Sequence, residues 1–294
     1  MAQQQQQPPA AQLEAYKSFQ YFLVTAVVPG SFVVHVEINR PAKLNAFLEA
    51  MWLELRALFR QLSTDPDVRA IVLSGAGDRA FTAGLDVQAA SQDGALQGAE
   101  GADGARKATA LRRHIYEFQE CLTAVEKCEK PVICVLHGIS IGLAIDLSLC
   151  ADVRICARDT RFAVKEVDIG LAADIGTLAR LPKAVSSFSW VKEVCMTARD
   201  FTAAEALAVG FVSQVQDTKA AALESAFRMA TLIASKSPVA VQGTKELLNY
   251  GRDHSVDDSL RYTGVWNSAA LQATDMKAAL LSGIQKKKPR FEKL

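Results

Sequence analysis

The sequence lacks the features that mark whole classes of protein. Charge of one sign is missing: 33 Lys and Arg stand against 32 Asp and Glu, a formal net charge of +1. Nucleic-acid binding usually shows as a strongly basic domain, so no nucleic-acid partner is expected. Histidine is scarce, and its 4 copies are scattered, which leaves no Ser/His/Asp set. The 6 cysteines show no paired metal-ligand spacing, so no metal site is expected. Cys121, Cys134, Cys150, Cys156 and Cys195 stand among apolar residues, where buried reduced thiols are the expected state.

An unbroken hydrophobic run is also missing. Pro131–Cys150 has about the length of a membrane span. His137, Asp146 and two glycines interrupt it, and no similar segment follows. It reads as a buried strand followed by a buried helix, and no membrane span is expected. Residues 1–18 contain no arginine and no apolar core segment, which disfavours a secretory signal or a transit peptide. With Gln3–Gln7 and Pro8-Pro9 they read as a disordered leader.

What is present suits a sizeable core: 294 residues, 50% hydrophobic and 22% charged. Tyr21–Val28 and Phe32–Ile38 flank the turn Pro29-Gly30 and read as a hairpin, with His35 at a surface or an edge. A polar loop, Asn39–Ala46, opens a helix from about Leu48 to Leu62, and Asp65-Pro66-Asp67 ends it. Ala70–Ser74 is a short buried strand, and the stretch from Gly75 to Asp86 reads as a loop. Residues 88–105 read as loop, Arg106–Lys127 as a helix, and Val132–Leu136 and Val153–Ala157 as strands around a helix from about Gly142. Strands alternating with helices suggest an α/β fold with a largely parallel sheet. From Phe188 onward the pattern is mostly helical. The strand segments look too unequal for a simple repeat.

The chemistry concentrates between Pro131 and Pro182. Asp146, Glu166 and Asp174 lie there among apolar and small residues. A carboxylic acid in such surroundings is costly to ionise, so its pKa rises toward the range useful for proton transfer. For Asp174 a helix cap is the structural alternative. Two glycine-containing turns follow two buried strands: Ala83-Gly84-Leu85-Asp86 and His137-Gly138-Ile139-Ser140-Ile141-Gly142-Leu143. Turns of this kind can leave backbone N–H groups unpaired, which suits a developing oxyanion; they can equally serve only as tight turns. The residues alone point to an acid–base enzyme with an oxyanion site.

A resemblance sharpens this. Asn39-Arg40-Pro41 with Leu44-Asn45-Ala46, then Ala80-Phe81-Thr82-Ala83-Gly84-Leu85-Asp86, then His137-Gly138 with Gly142, Asp146 and Asp152, resemble the enoyl-CoA hydratase/isomerase (crotonase) superfamily. Phe162–Glu166, Asp174 and the segments through Pro182 and around Trp266 are similar to the Δ3,5-Δ2,4-dienoyl-CoA isomerases within it. The resemblance implies a spiral of β-β-α turns over a core domain, 19–200, and a C-terminal helical region, 201–294, used for trimerisation. It implies homotrimers or homohexamers and an acyl-CoA thioester substrate, with no cofactor because CoA is part of the substrate. The expected reaction turns a 3,5-dienoyl-CoA into the 2,4-dienoyl-CoA.

The same resemblance assigns roles. Glu166 and Asp174 are the expected acid–base pair, with Asp146 as a supporting carboxyl. The N–H groups of Leu85 and Leu143 form the oxyanion hole, within a substrate-binding set of Ala83, Gly84, Leu85, Asp86, Val87 and Leu143. Relatives usually have glycine where Leu143 stands, so its side chain must point away from the acyl group. An enoyl-CoA hydratase or Δ3,Δ2-enoyl-CoA isomerase is the alternative enzyme, and a catalytically silent protein that binds RNA or a partner is the alternative from another class. Glu292-Lys293-Leu294 is similar to the S-K-L peroxisomal address, with mitochondrial or cytoplasmic localisation as the alternative. Lys286–Arg290 reads as solvated charge or a contact for CoA phosphates.

Overall fold

The computed structural model describes residues 12–92, 101–285 and 288–294. Residues 1–11 of the expected leader, residues 93–100 of the expected loop, and Lys286 and Lys287 lie outside the described residues.

Strand β1 (Phe22–Ala26) pairs antiparallel with β2 (Val33–Ile38), as the hairpin pattern predicts. Helix α1 (Glu49–Thr64) leads to β3 (Ala70–Gly75) and the short β4 (Ala80–Thr82). Helices α2 (Val87–Gln92) and α3 (Gly104–Glu126) precede a second such couple, β5 (Val132–Leu136) and β6 (Ile139–Ile141), with α4 (Leu143–Leu149) after it. A third couple, β7 (Val153–Ala157) and β8 (Arg161–Ala163), is followed by a 3-10 turn (Glu166–Ile169) and helices α5 (Thr177–Ala184) and α6 (Phe188–Thr197). Then come β9 (Phe201–Thr202), α7 (Ala203–Ala208), β10 (Gln214–Gln216), α8 (Lys219–Ala234), α9 (Pro238–Gly251), α10 (Val256–Ala270) and α11 (Thr274–Gln285).

The long strands form one sheet in the order β1-β2-β3-β5-β7-β10, parallel from β2 onward. The short strands form a second sheet, β4-β6-β8-β9. Each couple therefore places one strand in each sheet, and successive couples stack in parallel. This is the β-β-α spiral implied by the resemblance, and it corrects the expectation that no repeat is present. The repeat hides because β4, β6 and β8 have three residues each, too few to register as a period of two. For the same reason the expected loop from Gly75 to Asp86 contains a strand.

Both faces of the main sheet are covered, which explains its unbroken apolar strands. Side chains alternate along each strand. Val33, Ala70, Val72, Ile133, Val135 and Ile155 pack on α8, which presents Ala222, Ala226, Ala230 and Ala234. Small residues let that helix lie close. The other face, with Val36, Ile71, Leu73, Cys134 and Leu136, joins the larger core under α1, α3 and α4.

Three further expectations change. His35 is buried rather than at a surface or edge, because β2 lies between β1 and β3 and the imidazole bonds Ser74 Oγ at 2.8 Å. The leader gives way to structure by Gln12: Tyr16 is buried and its hydroxyl donates to Asp65 Oδ2 at 2.5 Å. The division at residue 200 falls inside the packed core, since β9 and β10 belong to the two sheets and α8 packs on the main one. All 6 cysteines are buried and free. No helix among the described residues is long and apolar enough to cross a membrane.

Candidate active site

The two glycine turns meet. Gly84 has φ +94° and Gly142 φ +56°, conformations that side chains rarely adopt. A Cβ on Gly84 would stand 3.1 Å from the Ile141 carbonyl oxygen and 3.7 Å from the Leu143 nitrogen. The first turn is pinned by its neighbours: Ala83 N–H donates to Leu44 O, Phe47 N–H to Gly84 O, and Asp86 N–H to Phe47 O. The second is pinned by Gly142 N–H to Ala163 O at 2.9 Å. Two N–H groups are left over. Neither Leu85 N–H nor Leu143 N–H finds an acceptor among the described residues.

The Leu143 side chain is 2% exposed and sits in the main core. Asp86 is held from two sides. Its carboxylate accepts from Arg40 at 2.8 Å and from Ala89 N–H, the first turn of α2, and both bonds hold it below its usual range. Asp86 anchors the turn that carries Leu85. Val87 is exposed, and Ala83 is half-buried beside the turn.

Glu166 opens the 3-10 turn after β8, and its Oε1 lies 3.5 Å from where a Gly142 Cβ would be. Its other oxygen, Oε2, is buried with no hydrogen-bond partner among the described residues. A buried, unpartnered carboxylate oxygen resists ionisation. Burial first, then the Asp146 charge, pushes Glu166 up to about 7, with Asp174 adding to the effect. Asp146, on α4, is 2% exposed and burial pushes it up to about 6. Its Oδ1 accepts both Thr177 N–H at 2.6 Å and Thr177 Oγ1 at 2.8 Å.

Asp174 lies on the segment leading to α5, and burial raises its carboxyl too. The helix-cap alternative is not realised. The residue before α5 is Gly176, and the carboxylate at that helix end belongs to Asp146. Asp174 instead lines a cavity of about 350 Å3 with Gln119 and Arg180. A larger cavity, about 660 Å3, lies elsewhere, at the far end of α4 against α8 and α9. It contains none of the three carboxyls Asp146, Glu166 and Asp174, although Arg180 lines both cavities.

The structure thus brings together Gly84, Leu85, Leu143, Asp146 and Glu166, with Asp174 electrostatically coupled to the last two. Sequence reasoning passed over Thr177, which holds Asp146, and Arg180, which lowers the cost of its charge. A hydroxyl directly after Gly176, at a helix start, was the available signal for Thr177.

The enoyl-CoA hydratase/isomerase family model matches residues 30–293. The chain belongs to this family. It is 47% identical, over 87% of its length and 77% of the relative's, to a mitochondrial Δ(3,5)-Δ(2,4)-dienoyl-CoA isomerase of Mus musculus. It is 39% identical, over 96% of its length and 99% of the relative's, to the peroxisomal Δ(3,5)-Δ(2,4)-dienoyl-CoA isomerase of Arabidopsis thaliana. Among solved structures, an enoyl-CoA hydratase from Bacillus anthracis superposes with a TM-score of 0.81 at 26% identity, covering 93% of this chain and 99% of that one.

Proposed function

We propose that this protein isomerises 3,5-dienoyl-CoA to 2,4-dienoyl-CoA in the degradation of unsaturated fatty acids. The observation that carries the reading is Glu166, a carboxyl held near neutral pKa beside the turns that leave Leu85 and Leu143 N–H unpaired. The relatives' names, at identities up to 48%, support it.

In this mechanism the two N–H groups receive the thioester oxygen as it gains negative charge. Glu166 takes a proton from carbon 2, and the electrons of that C–H bond shift through carbon 1 to the thioester oxygen, giving an enolate conjugated with the diene. As they return, carbon 6 takes a proton from Asp174, leaving double bonds at carbons 2 and 4. Glu166 holds one proton more and Asp174 one fewer, and solvent restores both. A base close to neutral pKa and an acid raised by burial suit these two tasks. The Asp146 charge opposes ionisation of Glu166 and so makes it the stronger base. CoA belongs to the substrate, and no cofactor takes part.

A hydratase draws less support. Its two acidic groups would share a water, and Asp146 spends one oxygen on Thr177. The assay is the growth of dienoyl-thioester ultraviolet absorbance on adding 3,5-dienoyl-CoA. Asp174→Asn, which fits sterically but exchanges no carboxyl proton, should keep the fold and lose about 10²–10⁴-fold in turnover. Near-native turnover would remove Asp174 from the mechanism.

Homotrimers or homohexamers belong to the same reading. Val256, Leu260 and Val265 of α10 and Leu280 and Ile284 of α11 are 64–80% exposed, an apolar area that association would cover. Sedimentation at low micromolar concentration tests this, and a monomer would refute it. The relatives are named for two compartments, mitochondria and peroxisomes. The peroxisomal address at Glu292-Lys293-Leu294 is tested by following import after deletion of Lys293-Leu294.

A further inference from the structure

Thr177 is fully buried and makes both of its polar contacts with one atom, Asp146 Oδ1. The two residues are 31 positions apart, on different helices. Asp146 Oδ2 receives no donor among the described residues. An N–H cannot become an acceptor, so a proton on Oδ1 would face a donor already pointing at it. The carboxyl is therefore unsymmetrical. One oxygen is held by donors that favour negative charge, and the other is left for a proton.

We propose that Thr177 is a positioning residue for the site: it grips Asp146 by one oxygen, stabilises its carboxylate form and leaves Oδ2 as the oxygen that exchanges a proton. The effect on chemistry runs through Glu166, whose ionisation is opposed by the Asp146 charge. This consequence rests on the reading of Glu166 as the base. The grip on Asp146 does not.

Other charges surround the pair. Arg180 on α5 favours the Asp146 carboxylate and Asp174 opposes it. Arg180 is itself engaged by Glu126 of α3, which also meets Arg252 beyond α9. The Cys150 thiol on α4 and the Cys195 thiol on α6 both feel the Asp146 charge, and His114 on α3 acts on Asp174. None of these is altered by removing a neutral hydroxyl. The Thr177 bond is therefore separable from the rest of the network.

The test is an infrared titration of the substrate-free protein with 13C-labelled aspartate, the Asp146 band being assigned by its loss in Asp146→Asn. Native Asp146 should titrate near pH 6. Thr177→Val keeps the side-chain shape and the N–H but removes the hydroxyl, and should raise that midpoint by roughly one unit. Thr177→Ser restores the hydroxyl and should return it. Thr177→Ala serves in the same way if valine disturbs folding. A midpoint unchanged in both the valine and alanine variants overturns the proposal. So does a serine variant displaced as far as valine, since packing would then be the cause.

The second readout is kcat/KM for 3,5-dienoyl-CoA against pH. With Asp146 neutral to higher pH, Glu166 should ionise more easily, and the acid limb should move to lower pH in Thr177→Val. A fixed limb beside a shifted Asp146 midpoint would overturn the link to Glu166. A native protein with no isomerase activity would end the functional reading and leave the Asp146 titration standing on its own.

Discussion

Glu166 and Glu126 are the same side chain in two partly buried settings, and they behave oppositely. Burial pushes both up. Around Glu166 the nearest charges are the carboxylates Asp146 and Asp174, and the group rises to about 7. Around Glu126 stand two guanidinium groups. Arg180 donates to it at 2.8 Å and Arg252 joins from beyond α9, and together they hold it below the usual carboxylate range despite burial. Depth alone therefore does not decide a carboxyl's proton affinity. The sign of the neighbours does, and only one of the two positions is built with neighbours that repel.

The strongest way to break this contrast is to neutralise each group in turn. Glu166→Gln should lose about 10²–10⁴-fold in turnover. It should also gain stability at pH 8. The folded pKa lies above the ordinary 4.5, so the folded state binds its proton more tightly than the unfolded chain. Ionisation therefore opposes folding above about pH 7, and the penalty vanishes below the unfolded value. Thermal melts at pH 8 and pH 4.5 check the sign, and a variant less stable than native at pH 8 would contradict it.

Glu126→Gln should do the reverse. Two arginines lose their counter-charge, so stability should fall by about 1–3 kcal/mol, a drop of a few degrees in Tm. Turnover should change far less than in Glu166→Gln. The native folded pKa is depressed, so this contribution is present at neutral pH and is lost as pH falls through the carboxylate range. Urea melts at pH 7 and pH 3.5 would show it.

A smaller effect sharpens the electrostatic account. Asp146→Asn removes the charge that opposes Glu166, so the acid limb of kcat/KM should move to lower pH by several tenths of a unit or more. A limb moving upward would mean that Asp146 acts on Glu166 other than by its charge. The smallest expected change is Leu143→Gly. The leucine side chain lies in the core, and its N–H stands beside the Gly84 turn. Turnover should stay within about tenfold, well short of the loss of an oxyanion donor, while stability falls because a buried side chain is gone. Steady-state kinetics beside a melt separate the two.

Much of this was legible without coordinates. Ala70–Gly75 and Val132–Leu136 are apolar on both faces, which announces strands covered on two sides. The glycine turns after them marked the places where N–H groups are spare. Asp146, Glu166 and Asp174 stood out as acids in apolar or small-residue segments. What escaped was anything shorter than a period or longer than a segment. The three-residue strands of the second sheet fall below periodicity. His35 alternates like a solvent-facing residue, yet it lies beneath Phe227 of α8, whose sequence lies far away.

Local sequence by itself determined which of the longer segments are strand or helix, where the backbone needs glycine, and which carboxyls are costly to ionise, because each depends on neighbours along the chain. Tertiary structure alone decided what each carboxyl meets. Asp146 finds Thr177, Glu166 finds Gly142 and, among the described residues, no donor for Oε2, and Glu126 finds Arg180 and Arg252. Charge and hydrogen bonding act through space over a few ångströms, and these partners stand tens of residues apart, so only the folded chain decides that Glu166 is pushed up and Glu126 held down.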